Sequence, residues 1–311
     1  MYMSNTNSLR YSISGVFIIA YKEDTTILEK TLQEQDFNYE ILRQKHQPEY
    51  KNYSPSYLTL LNHKNAWIKA SEQEKPSLII EADFVPVINL GSLPLPFNLE
   101  NYNVGIGWLY TCAPQIYSVS DENYAQGFST SAVAYIITPR AALELIELEN
   151  EVRLNSGTNN YSTWDSTIDE FLRSRSFENF VPFRNYGEHG GLPNLEHYSY
   201  GLSKVHRADI LYDRLAFMPI YAGTDKFQIW RFFRERFQGR LKGILRLLIG
   251  RYLRLKIIMG SSFPLRLIPF AVLRQLLFII EGMGNINRGE GGDENIRFIL
   301  VFTFLFGLIF V

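Results

Sequence analysis

Cysteine is nearly absent from this chain: its 311 residues include one, Cys112. A lone cysteine excludes an internal disulfide framework and any zinc site built on several thiolates, and it suits a reducing compartment. A secretory signal is also missing from the start of the sequence. The only early apolar run, Ile13 to Ala20, is short and is followed at once by Lys22, Glu23 and Asp24, so it reads as a buried strand. No glycine-rich phosphate loop follows that strand. Tyr21-Lys-Glu-Asp takes the place, which argues against a nucleotidyltransferase of the loop-binding kind. Long apolar runs are lacking too. Phe298 to Val311 spans fourteen residues, about 21 Å as a helix against a hydrocarbon core of roughly 30 Å. Phe263 to Ile280 is interrupted by Arg266, Pro269, Arg274 and Gln275. Peripheral attachment to a membrane is expected rather than a span.

Charge is present but unevenly spread. The formal net charge is -1. Between Ile229 and Glu281 eleven Lys or Arg face two acids, a surplus of +9. Residues 282–311 add two Arg and three acids, which leaves -9 for residues 1–228. An acidic body with a basic, apolar end describes two functional regions. The division expected is a catalytic domain over 1–228, a membrane-associating region over 229–281, and a Gly-rich linker with a short apolar tail over 282–311. Aromatic residues are plentiful, with 22 Phe and 19 Tyr, which suits either an extended apolar groove or a large aromatic core.

Strand-like and helix-like segments alternate through the first half. Gly15 to Ala20 reads as a strand buried on both faces, and Thr26 to Gln35 as a helix. Ser54-Pro55 is a helix start, with Ser54 as cap and Pro55 at the first helical position. That helix should run to about Ser71 on a stripe of Leu58, Leu61, Ala66, Trp67 and Ala70, and Pro76 lies beyond it. Ser77 to Ile80 is a second buried strand, Ser131 to Ile137 another, and Thr138-Pro139 opens a helix to about Asn150. The alternation predicts an α/β fold, a mixed sheet flanked by helices on both faces.

The second strand ends in Glu81-Ala82-Asp83. Ligands of open α/β sheets bind outside the carboxyl ends of strands. Acids at i and i+2 of an extended chain project to the same side and can hold a divalent cation through oxygen. Such a cation, Mn²⁺ or Mg²⁺, would neutralise a diphosphate leaving group. An acidic pair just past a strand is also a common solvated loop.

Tyr57-Leu-Thr-Leu-Leu-Asn62-His63-Lys-Asn-Ala-Trp67, followed after about ten residues by Leu78-Ile-Ile-Glu81-Ala82-Asp83-Phe84, resembles glycosyltransferase family 25. That family includes lipopolysaccharide and procollagen galactosyltransferases. Thr130 to Ala141 looks like its strand-into-helix segment, and Ile168-Asp169-Glu170-Phe171-Leu172 is similar to its Val-Asp-x-x-Leu motif. The resemblance covers roughly residues 13–175. Two positions depart from it: Asn62 stands where the family has Ser, and Ala82 replaces the middle acid of Glu-Asp-Asp.

The resemblance implies a GT-A-like nucleotide-sugar-binding domain that inverts at the anomeric carbon. It assigns Glu81 and Asp83 to the metal and Asp169 to the base, with Asp165 in reserve, the two aspartates expected at i and i+4 on one helix face. His63 matches the family's His, as a donor to a phosphate or ribose oxygen or as a histidine buried between helix and sheet. The polar stretch Tyr186 to His197 adds Glu188, His189, Asn194 and His197 as donor-facing candidates, and in the wider fold group a late His, here His189 or His197, completes the metal shell. A structured surface loop is the plain alternative for that stretch.

The expected activity is transfer of a hexose from a nucleoside diphosphate sugar to a hydroxyl of a glycan or glycolipid of the lipopolysaccharide type. The alternative is an inactive relative that binds glycan or scaffolds a membrane complex, motivated by Ala82. Residues 229–281 interleave arginine with Leu, Ile and Phe, which favours an anionic membrane surface over nucleic acid. If helical, that segment carries its charges on two stripes. The expected location is cytoplasmic, on the inner face of a membrane.

Overall fold

The computed structural model describes residues 8–112, 114–119, 124–182, 184–193, 206–208 and 210–248. Within them an eight-stranded mixed sheet forms the centre. Its first three strands are β1 (Val16–Ala20), β2 (Tyr39–Arg43) and β3 (Ser77–Glu81), and β4 (Phe84–Pro86) lies outside it. Next come β5 (Val104–Trp108), β6 (Gln115–Val119), β7 (Tyr124–Phe128), β8 (Ala134–Ile137) and β9 (Glu178–Pro182). The spatial order is β2-β1-β3-β8-β5-β9-β7-β6. Strand β1 is parallel to both β2 and β3, whereas β8 runs antiparallel between β3 and β5. The α/β class expected from the alternation is therefore present, with a mixed sheet.

The helices follow from local signals. After a one-turn α1 (Leu9–Ser12), α2 (Thr26–Glu34) and α3 (Pro55–Ser71) fill the connections of the parallel strands. Ser54 caps α3 by accepting the Tyr57 N–H at 3.2 Å, with Pro55 at the first position. The segment after Thr138 forms two helices, α4 (Pro139–Leu145) and α5 (Leu148–Ser156), rather than one. Then come α6 (Ile168–Ser174) and, after a two-stranded pairing of β4 with β10 (Gly187–His189), the long α7 (Gln228–Leu248).

Core side chains fall in two layers on opposite faces of the sheet. One contains Phe17, Ile19, Leu60, Trp67, Ile79, Trp108, Tyr135 and Trp164, the other Val16, Ile18, Leu32, Leu78, Ile80, Phe84, Ile136 and Tyr186. Strands β1 and β8 are buried at every position, as a two-sided sheet requires. Trp67, Trp108, Tyr135, Trp164 and Tyr186 are among the aromatics this core buries, whereas Tyr102, Trp230 and Phe237 are exposed.

Among the described residues no helix is long and apolar enough to cross a membrane. The linker and tail expected over 282–311, and the basic region beyond 248, lie outside the described residues.

Candidate functional site

A cleft of about 710 Å³ opens at the carboxyl ends of β1, β2 and β3, where the topology leaves strand ends uncovered. Ile19 and Ala20 from β1, Gln44 and Lys45 after β2, and Glu81, Ala82 and Asp83 after β3 line one side. Thr130 to Val133 and Tyr161 to Ser166 line the other, and His189 and His206 close it.

Three ligating groups converge in this cleft. Glu81, Asp83 and His189 each offer one atom, and these atoms lie within 4.8 Å of one another. The convergence has a local cause. Strand β3 stops at Glu81, a turn at Ala82-Asp83 reverses into β4, and β10 pairs with β4 so that His189 sits opposite Phe84. The Gly190 N–H donates to the Asp83 carbonyl at 2.8 Å, which brings His189 Nε2 to 2.9 Å from Asp83 Oδ2. Glycine is required at the next position. A Cβ on Gly191 would stand 2.2 Å from Asp83 Oδ2 and 3.0 Å from His189 Nε2.

Asp83 and His189 form an ion pair in the cleft. Burial opposes ionisation of Asp83, but the imidazole beside it outweighs burial and holds the carboxyl below its ordinary value. Burial likewise opposes a charged His189, and the Asp83 carboxylate overrides it, raising the imidazole to about 9. The histidine proton is thus the counter-charge in the protein alone. Asp83 Oδ1 and His189 Nδ1 are buried without a hydrogen-bond partner among the described residues. Two carboxylates and one imidazole, one of the oxygens unsatisfied, form a donor set compatible with a divalent cation.

Behind Glu81 lies a hydrogen-bond chain. Trp67 Nε1–H donates to the Tyr135 hydroxyl at 2.8 Å, and that hydroxyl is 2.8 Å from His63 Nδ1. An indole N–H can only donate, so the tyrosine proton is free to point at His63 Nδ1. In the tautomer that accepts there, His63 carries its proton on Nε2, 3.4 Å from Glu81 Oε1. His63 is fully buried, flanked by Tyr135 and Trp164, with their ring centroids 5.8 and 5.0 Å away. It is a histidine between helix and sheet that orients a cleft carboxylate. Asn62, one residue earlier, donates its amide to the Ala20 and Leu42 carbonyls at 3.1 and 2.8 Å and ties β1 to β2 beneath the cleft.

The two aspartates expected on one helix face separate. Trp164–Ser166 forms a 3-10 turn and α6 begins only at Ile168. Asp165 lines the cleft and is raised to about 7, by burial first, with the nearby Glu81 charge adding to it. Asp169 points into the core, where Arg173 Nε at 2.9 Å, Asn179 Nδ2 at 2.8 Å and the Tyr117 hydroxyl satisfy it. Glu188 is also buried away from the cleft. It accepts the Ala208 and His189 N–H groups at 2.8 and 3.1 Å and pairs with Arg236 of α7. Asn194 and His197 lie outside the described residues.

Tyr135, an aromatic in a strand buried at every position, carried no functional signal of its own, nor was the break that turns Asp165 into the cleft legible. The glycine pair after His189 was the one local signal of close approach.

No family model matches the chain, and no curated protein does. Among solved structures the chain is similar to the crystal structure of a glycosyltransferase involved in the glycosylation of the major capsid of PBCV-1. The match is 11% identical, covers 54% of this chain and 81% of that one, and has a TM-score of 0.37. Likeness at that level bears on neither activity nor substrate.

Proposed function

We propose that this protein is a metal-dependent, inverting glycosyltransferase with a GT-A-like domain, of the kind its family 25 resemblance implies. The observation that carries the reading is the meeting of Glu81, Asp83 and His189 in one cleft that Asp165 also lines. Four carboxylates, of Glu23, Glu81, Asp83 and Asp165, line the cleft against Lys45 and the His189 imidazolium. A diphosphate could not enter such a field unaided, so a divalent cation held by the triad is needed to accept it. Bound there, Mn²⁺ or Mg²⁺ supplies charge neutralisation of the leaving diphosphate.

The chain's own residues do the rest. His63, held by Tyr135, orients Glu81. Asp165 takes the proton of the acceptor hydroxyl while the new C1–O bond forms and the C1–O bond to phosphate breaks, the electron pair leaving with the nucleoside diphosphate. The base is thus Asp165 in place of Asp169, whose carboxylate is committed to Arg173 and Asn179.

The donor is a nucleoside diphosphate hexose and the acceptor a hydroxyl of a glycan or glycolipid at the cytoplasmic face of a membrane, as lipopolysaccharide assembly requires. The test is turnover of a panel of nucleotide sugars with Mn²⁺ by the full chain and by Asp165→Asn. One donor should be turned over with metal. Asn at 165 should keep donor binding and lower turnover about 10²- to 10⁴-fold. Binding of donor without turnover by the unmodified chain would instead favour an inactive glycan-binding relative.

A further inference from the structure

Helix α7 is inverted in polarity. Its buried face is charged: Arg236 and Gly239 are buried, while Glu235 and Arg231 are partly so. Arg236 pairs with the fully buried Glu188 and donates to the Ala208 carbonyl at 2.8 Å. Glu235 lies 3.6 Å from Arg207, and Arg207 in turn donates to the His189 carbonyl at 3.1 Å. Arg231 binds the Ala222 carbonyl at 2.8 Å and Asp225 at 2.6 Å. Gly239 lets the helix close on the domain, since a Cβ there would sit 2.6 Å from Arg207 Cβ.

The opposite face is apolar and exposed. Trp230, Phe233, Phe237 and Leu241 follow one another at spacings of three and four, with exposures of 57%, 45%, 46% and 42%. A helix packed on a domain ordinarily buries such a stripe and exposes its charges. Here the charges hold the helix to the domain and the stripe is turned outward, about 17 Å of it from Trp230 to Leu241 at ~1.5 Å per residue. This also explains the two charged stripes of the sequence: one of them is the docking face.

We infer that this aromatic face of α7 seats the protein on an anionic lipid surface, while the Arg236–Glu188 pair holds the helix to the strand that bears His189. The charge selects the occupant. With Arg231 and Arg236 committed to the domain, Gln228–Leu248 still carries four Lys or Arg against one acid, and 229–281 still carries +7, which complements anionic headgroups. Trp, Phe and Leu are the side chains that interfacial helices carry on their apolar face. The inference deepens the reading of a membrane-held transferase by naming the face that touches lipid, and its surface chemistry stands apart from the cleft.

The experiment uses the full chain in two separate assays. Co-sedimentation with phosphatidylglycerol vesicles, and with phosphatidylcholine vesicles as reference, reads the surface without donor. Mn²⁺-dependent donor hydrolysis reads the cleft without lipid. The chain should bind the anionic vesicles well above the neutral ones. The double substitution Phe233→Glu with Phe237→Glu should weaken that binding about tenfold or more and leave hydrolysis unchanged. Should the double variant misfold, Trp230→Ala should give a smaller loss of the same kind. Equal binding to both vesicles, or variants that bind as the unmodified chain does, would overturn the inference. So would a dimer that the double variant splits with vesicle binding intact, since a second copy would then cover the stripe. Loss of hydrolysis with vesicle binding retained would count against the cleft reading alone.

Discussion

Asn in place of Asp165 keeps the side chain's shape and removes its capacity to take a proton, so two measurable quantities should move in opposite directions. Burial raises the carboxyl to about 7 from an ordinary 3.8. Activity of the unmodified chain should climb with pH as this carboxyl ionises, and that limb should vanish in Asp165→Asn. Stability runs the other way. The unfolded chain releases this proton first, so the contribution is full below 3.8, declines as pH rises, and is gone above about 7. The variant should therefore be more stable at neutral pH, by about 2–4 kcal/mol, in denaturant titrations. Tyr135 gives a second test at this scale. Tyr135→Phe keeps the ring and deletes the hydroxyl that fixes His63, so Glu81 loses its orienting partner. Mn²⁺ affinity by calorimetry should fall about tenfold, a loss typical of groups behind metal ligands. Glu81 and Asp83 were legible as a pair because acids at i and i+2 past a strand share a face and the family resemblance set them apart from a solvated loop. Asp165 was not, since its position depends on where one helix starts.

At the scale of elements, short-range signals carried the helices and long-range pairing carried the site. Thr26–Glu34 and Pro55–Ser71 match the helices read from cap and periodicity, and β1 and β3 match the apolar runs. Strands β4 and β10 have three residues each and could not be read, because only their mutual pairing makes them strands. That pairing is what carries His189 to Asp83. The single helix expected after Thr138 became α4 and α5. Helix α7 shows the same dependence on partners, its charged face having meaning only against Glu188 and Arg207. Arg236→Met should leave the fully buried Glu188 carboxylate unpaired and cost about 3–5 kcal/mol. Chemical denaturation should register that loss, and limited proteolysis should cut near Arg231 and Arg234 sooner than in the unmodified chain.

The whole molecule joins an acidic cleft to a basic helix. The sheet exposes three strand ends at one place, the β4–β10 pair closes the cleft with a histidine, and the residues around that histidine reach α7 through Glu188 and Arg207. Helix α7 is docked on the domain through Glu188 and Arg207 rather than trailing from it.

The central claim is that Glu81, Asp83 and His189 hold a divalent cation on which donor binding depends. Its most direct test is Mn²⁺ titration of the full chain by calorimetry, alone and with a nucleoside diphosphate, beside Asp83→Ala. The expected result is one Mn²⁺ per chain, bound more tightly with the diphosphate present and lost in the variant. Diphosphate binding that is equally tight without metal, or Mn²⁺ binding that survives Asp83→Ala, would contradict it.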